Sequence, residues 1–211
     1  MVGNSFVNFL ASIAIIFPAF LIALSFHEFA HAFVANLLGD DTAKKQGRLT
    51  LNPLAHLDFW GTIFLLVFRI GWAKPVPFSL HNFKRPRLYS ILTALAGPFS
   101  NFILAYVFFV LLKYLPFLDL SLPVLKSFAM VFEAGAYINV MLGVFNLLPI
   151  PPLDGSHFLI AFLYKKFPNV VIWLYRYSMI ILILLFLLPF TRYFLINAIQ
   201  TVSLFIRSLV F

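Results

Sequence analysis

The chain contains no cysteine, which excludes disulfides, cysteine nucleophiles and thiolate metal sites. Any metal held here must sit on nitrogen and oxygen ligands. Charge is scarce as well: 10% of the 211 residues are charged, against roughly 25% in a soluble globular chain. In its place stand apolar side chains, 63% of the total and including 28 phenylalanines. That balance excludes an ordinary soluble domain and implies a chain that lives in lipid, with the phenylalanines as lipid-facing bulk.

The net charge of +8 does not point to a nucleic-acid partner, because 8 of the 15 Lys and Arg fall between Lys44 and Arg87, flanking apolar segments. Basic residues beside membrane spans mark the cytoplasmic face. No Lys or Arg precedes the first apolar stretch, which runs on past the length of a signal peptide and is read as a retained span.

A spanning helix needs about 20 largely apolar residues. Residues 6–36 form such a helix, bent near Pro18, and its only ionisable side chains are His27, Glu28 and His31. Residues 88–112 and 127–148 are the second and third spans. Residues from about 170 to 208 read as two helices meeting near Pro189.

Between Lys44 and Arg87 the pattern changes. Asp58 and Arg69 enclose an uncharged stretch of about 15 Å if helical, half a hydrocarbon core of about 30 Å, so this piece dips in rather than crossing. Pro75 and Pro77 are incompatible with a regular helix and predict extended chain. Exposed backbone is not tolerated in lipid, so this part must pair with itself, as a small sheet or hairpin would, or line a cavity. The expected fold is an all-α polytopic membrane protein of about five to six transmembrane helices. A small membrane-associated extended or β segment separates its first two core helices. One membrane domain covers 1–211, with a core over 6–155 and C-terminal helices at about 170–208.

His27-Glu28-Phe29-Ala30-His31 is an HExxH sequence. A four-residue separation on a helix puts both imidazoles on one face, one turn apart, where they can share an ion. Glu28 stands beside the first of them, where a carboxylate can take a proton from an attacking water. An ionisable side chain deep in a span costs about 2.5–3.5 kcal/mol on insertion scales, so three within one turn need a shared reason. Catalytic zinc takes three protein ligands. By position alone the third is open among Asp154, His56, His81, His157 and Glu133, with Asp154 favoured for the proline-rich turn that holds it.

Two motifs in this order resemble the site-2 protease family of intramembrane zinc metalloproteases, in its compact bacterial and archaeal form without a PDZ domain. HEFAH at 27–31 matches the family's first motif, and NLLPIPPLDG at 146–155 its Asn-Pro-Pro-Asp-Gly motif. AGPFSN at 96–101 looks like the glycine motif of its middle core helix, and GRLTLNPLAHLD at 47–58 and GWAKPVPF at 71–78 look like segments of compact members. The resemblance runs from about Ala23 to Gly155. It implies that His27, His31 and Asp154 hold Zn2+, that Glu28 is the catalytic base, and that Asn146 contacts the scissile carbonyl.

By the same resemblance the function is hydrolysis of a peptide bond in or near a transmembrane segment of a single-span membrane-protein substrate. Counting basic residues puts the N-terminus outside, the C-terminus inside and the active site toward the cytoplasmic side of a bacterial or archaeal cell membrane. The alternative is a metal-binding transporter using the same His/His/Asp cluster, in which Glu28 serves only as a charge. Of the remaining polar residues, His56 reads either as a substrate-side group or as a histidine satisfied by backbone. Asn101 reads as a hydrogen bond between helices, and Gly97 as a close helix contact.

Overall fold

The computed structural model describes residues 2–68 and 71–211. Eight α-helices are found there: α1 (Val2–Leu37), α2 (Thr42–Lys45), α3 (Phe59–Phe68), α4 (Pro86–Tyr114), α5 (Leu122–Asn146), α6 (Ser156–Lys166), α7 (Pro168–Leu187) and α8 (Pro189–Ser208). Proline at the first helical position starts α4, α7 and α8, where its missing N–H costs nothing and its fixed φ suits the helix.

Four helical stretches among the described residues are long and apolar enough to cross a membrane: Ile13–Leu37, Pro86–Phe117, Leu122–Asn146 and Pro168–Leu187. The expected count of five to six is not confirmed. α8 has the length, but with Arg192, Asn197, Gln200 and Arg207 along it it is not among the four.

Helix α4 is the centre of the bundle, packed between α1 and α5. One core unites α4, α5 and α8 through Ala105, Phe108, Phe109, Ala136, Val140, Leu195, Ile199 and Ile206. A second, of Ala19, Ala23 and Ile138, joins α1 to α5. Lipid provides no hydrophobic drive between helices, so tight contact depends on small residues that admit a neighbour. Gly135 and Gly143 do this for the rings of Phe108 and Phe102, which a Cβ on either glycine would strike at 2.8 and 2.5 Å.

The end of α1 is built to deliver a carboxylate. Gly39 adopts φ 102°, open to glycine at no steric cost, and Gly39 and Asp40 N–H donate back to Asn36 and Ala35 carbonyls at 3.2 and 2.9 Å. This glycine stop turns Asp40 inward, where it is fully buried. Beyond it, residues 53–55 and 76–82 return to the end of α1, and the ten-residue helix α3 occupies the stretch expected to dip between Asp58 and Arg69; Arg69 lies outside the described residues.

The predicted hairpin is reduced to a single antiparallel bridge, Leu57 to Ala73, with Lys74 N–H donating to the His56 carbonyl at 2.9 Å. Two causes stop a ladder from growing. Pro75 and Pro77 offer no N–H, and Arg48 takes the carbonyls of Ala55, Lys74 and Pro75 with its guanidinium.

Candidate metal centre

On α1, the four-residue spacing brings His27 and His31 face to edge, with ring centroids 4.6 Å apart and their Nε2 atoms 3.0 Å apart. Both side chains are buried. Helix α4 fixes their orientation from behind. His27 Nδ1–H donates to Asn101 Oδ1 at 2.6 Å, and His31 Nδ1–H donates to the Thr93 carbonyl at 2.7 Å. The amide of Asn101 cannot be turned round, because its Nδ2 donates to the Ala23 carbonyl at 3.1 Å and to Asn139 Oδ1 at 2.9 Å. Asn139 is held in turn by donating to the Gly135 carbonyl at 2.8 Å.

With both Nδ1 positions carrying the proton, each neutral imidazole presents a lone pair at Nε2. A carboxylate joins them. The chain leaves α5 at Asn146, turns through Pro149, Pro151 and Pro152 with a cis Pro151–Pro152 peptide bond, and re-enters helix after Gly155. Gly155 N–H donates to the Asn146 carbonyl at 2.7 Å, an approach only glycine permits, since a Cβ there would lie 2.1 Å from the Leu147 oxygen. That closure aims Asp154 at the histidines, with Oδ2 3.1 Å from His27 Nε2 and 3.4 Å from His31 Nε2.

Asp154 Oδ2 is a buried oxygen without a hydrogen-bond partner. Three acceptor atoms thus converge within 4.8 Å, an arrangement that repels itself unless a cation lies between them. Two imidazole nitrogens and a carboxylate oxygen are the donor set of a catalytic zinc site. The residues present fit that metal.

Comparison with known proteins agrees. The model of peptidase family M50 matches residues 123–187. The chain is 41% identical over 177 residues, 83% of its length, to "Putative zinc metalloprotease YwhC" of Bacillus subtilis, of which it covers 81%. It is 34% identical to "Putative zinc metalloprotease Rip2" of Mycolicibacterium smegmatis over 67% of its own length and 54% of that protein's. It is 31% identical to "Putative zinc metalloprotease MJ0611" of Methanocaldococcus jannaschii over 62% of its length and 61% of that protein's.

The chain belongs to peptidase family M50. It is a zinc metalloprotease of the site-2 protease type and a membrane protein, and Zn2+ is its metal. No solved structure matches it.

Of the third-ligand candidates of this M50 chain, only Asp154 joins the histidines. His81 and Glu133 are exposed. His157 faces Phe78, ring centroids 5.4 Å apart. His56 is fully buried and donates from Nε2 to the Thr50 carbonyl at 2.8 Å, while its Nδ1 has no hydrogen-bond partner among the described residues. Asn146 is half-buried at the end of α5.

Glu28 is buried beside His27, and its Oε2 accepts the Val76 N–H at 3.0 Å. Sequence reasoning gave Asn101 a bond between helices but not its bond to His27, and gave Asn139 and Val76 no part. The signal for Asn101 was its place four residues, one helical turn, after the glycine that faces the same histidines, within AGPFSN. The helix register that aligns it with His27 was not in the sequence.

Proposed function

We propose that His27, His31 and Asp154 are the zinc ligands, that Glu28 is the general base, and that the reaction is hydrolysis of a peptide bond in or near a transmembrane segment of a single-span membrane protein. The convergence of three buried acceptor atoms on one point beside a buried carboxylate carries this reading. The whole chain acts as one membrane-embedded protease domain in a bacterial or archaeal cell membrane, N-terminus outside and active site toward the cytoplasm. The basic residues from Lys44 to Arg87 support that orientation.

Bound zinc supplies Lewis acidity, polarising a carbonyl and making a water acidic near neutral pH. The chain's own groups supply the rest. Thr93 and Asn101 keep both imidazoles in the tautomer that leaves Nε2 free, which fixes ring direction and raises ligand basicity. Glu28 takes the proton from the attacking water and returns it to the departing amine nitrogen as the C–N bond breaks. Asn146, whose amide has no hydrogen-bond partner among the described residues, is free to donate to the developing oxyanion. The buried cluster excludes bulk water, which strengthens each of these interactions.

The test is zinc content and cleavage of a panel of single-span reporter proteins by purified chain, wild type against Glu28→Gln. About one zinc per chain in both, with cleavage in wild type alone, is the expected result. Zinc in both and Glu28-independent cleavage would remove Glu28 as base. Zinc with no cleavage of any reporter would leave metal transport as the better reading.

A further inference from the structure

Glu28 has one hydrogen-bond partner among the described residues, the backbone N–H of Val76. That donor belongs to Lys74-Pro75-Val76-Pro77, so it is the single N–H between two prolines. It is also held unusually firmly for a loop. Before it, Arg48 spans the carbonyls of Ala55, Lys74 and Pro75. After it, Asp40 accepts Ser79 N–H at 2.7 Å and Asn82 Nδ2 at 2.7 Å. The Val76 side chain is packed against Ala32, one turn beyond Glu28 on the same helix face, and against Ala43.

Arg48 and Asp40 are both buried, and neither is the ion-pair partner of the other. Burying an unpaired charge is costly, and it persists where each charge is satisfied by fixed dipoles. Here all but two of those dipoles belong to the Ala55 turn and the segment running over Glu28; the two are the hydroxyl and N–H of Thr42. An ordinary structural tie would not require charge on both sides of a single N–H.

We infer that the Val76 N–H is a fixed part of the active centre, orienting the Glu28 carboxylate so that its other oxygen is turned to the reacting water. Arg48 and Asp40 are the positioning residues that keep it there. This rests on the reading of Glu28 as the base. A hydrogen bond from a rigid N–H removes the torsional freedom of a glutamate, and misplacement of a catalytic group by about 1 Å costs up to about 100-fold in rate. Arg48 is suited to this because its planar fork reaches several carbonyls at once, which a lysine cannot.

The experiment uses the zinc-loaded full chain and has two arms. The first is hydrogen–deuterium exchange at Val76, which the flanking prolines isolate as the only amide of residues 75–77. Exchange is expected to be slow in wild type and about tenfold or more faster in Glu28→Ala and in Arg48→Lys, with the Lys74 amide unchanged in Glu28→Ala. The same Val76 rate with and without the Glu28 carboxylate overturns the inference, and this arm needs no substrate.

The second arm compares Val76→Pro, which deletes the N–H, with Val76→Ala, which keeps it and loses only packing. For a single-span reporter, kcat is expected to be about 10- to 100-fold lower in the proline variant than in the alanine variant, with KM and zinc content alike. Equal kcat in the two zinc-loaded variants overturns the inference while leaving Glu28 as base. Cleavage by Glu28→Gln would instead remove the reading on which the inference rests.

Discussion

Asn101 Oδ1 lies 2.6 Å from His27 Nδ1, so a side chain of α4 decides which nitrogen of an α1 imidazole is left free. The bond is itself part of a chain that runs on to Asn139 and the Gly135 carbonyl on α5. Three helices are thereby tied to the protonation state of one ring.

Replacing Asn101 with leucine keeps its bulk and deletes that chain. The His27 Nδ1–H, the Ala23 carbonyl and Asn139 Oδ1 all lose a partner in a buried setting. Loss of such an outer partner typically lowers metal affinity by about 10- to 100-fold. Zinc competition against a chromogenic chelator should show that loss in Asn101→Leu, and unchanged affinity would mean that the imidazole is oriented by α1 alone.

Gly97 faces both histidines at a distance no other residue can share. An added Cβ would stand 2.3 Å from His31 Nε2 and 2.7 Å from His27 Cε1. Alanine in a helix interior is otherwise worth about 1 kcal/mol more than glycine. Gly97→Ala is therefore expected to keep its helical circular dichroism while zinc per chain, measured by mass spectrometry of the metal, falls well below wild type. Retention of full zinc would show that the helices can part without cost.

Acid should loosen the segment over the active centre before it melts the bundle. Burial pushes the Asp40 carboxyl up, but bonds from the Thr42 hydroxyl, Asn82 amide, Ser79 N–H and Thr42 N–H outweigh it and bring the group below its ordinary value of 3.8. A carboxyl lowered on folding contributes stability that is complete above that ordinary value and is lost as pH falls through the lower, folded one. The protection factor of the amides at residues 79–82, exchange normalised to the intrinsic rate at each pH, should therefore fall below about pH 4 in wild type, and in Asp40→Asn it should be low already at neutral pH and flat across that range. A wild-type profile as flat as the variant's would place the acid sensitivity elsewhere.

Much of this was legible in the residues. HExxH on an apolar helix announced a shared ion because helical periodicity alone puts positions 27 and 31 together. Pro75 and Pro77 announced that their segment was not helix. Asp154 was favoured over four other candidates by its proline-rich turn and singled out through the family motif, because no local periodicity links α1 to a turn beyond α5. The Asn101 bond depends on how α4 is rotated against α1, which packing at Gly97 decides. Nor could composition show that Arg48, one of eight basic residues in a stretch that reads as a cytoplasmic face, is buried and bound to carbonyls. The hairpin failed to form for the same reason: its acceptors were already taken.

The three converging atoms come from opposite ends of the catalytic core. Two sit on α1, which precedes α4 and α5 in the chain, and Asp154 follows only after both. A ribosome delivers the chain from its N-terminus, so a half-inserted molecule carries two imidazoles and the Glu28 carboxylate without Asp154. Were Asp154 the third ligand, as proposed, hydrolytic competence would begin only once α5 and the turn behind it are in place.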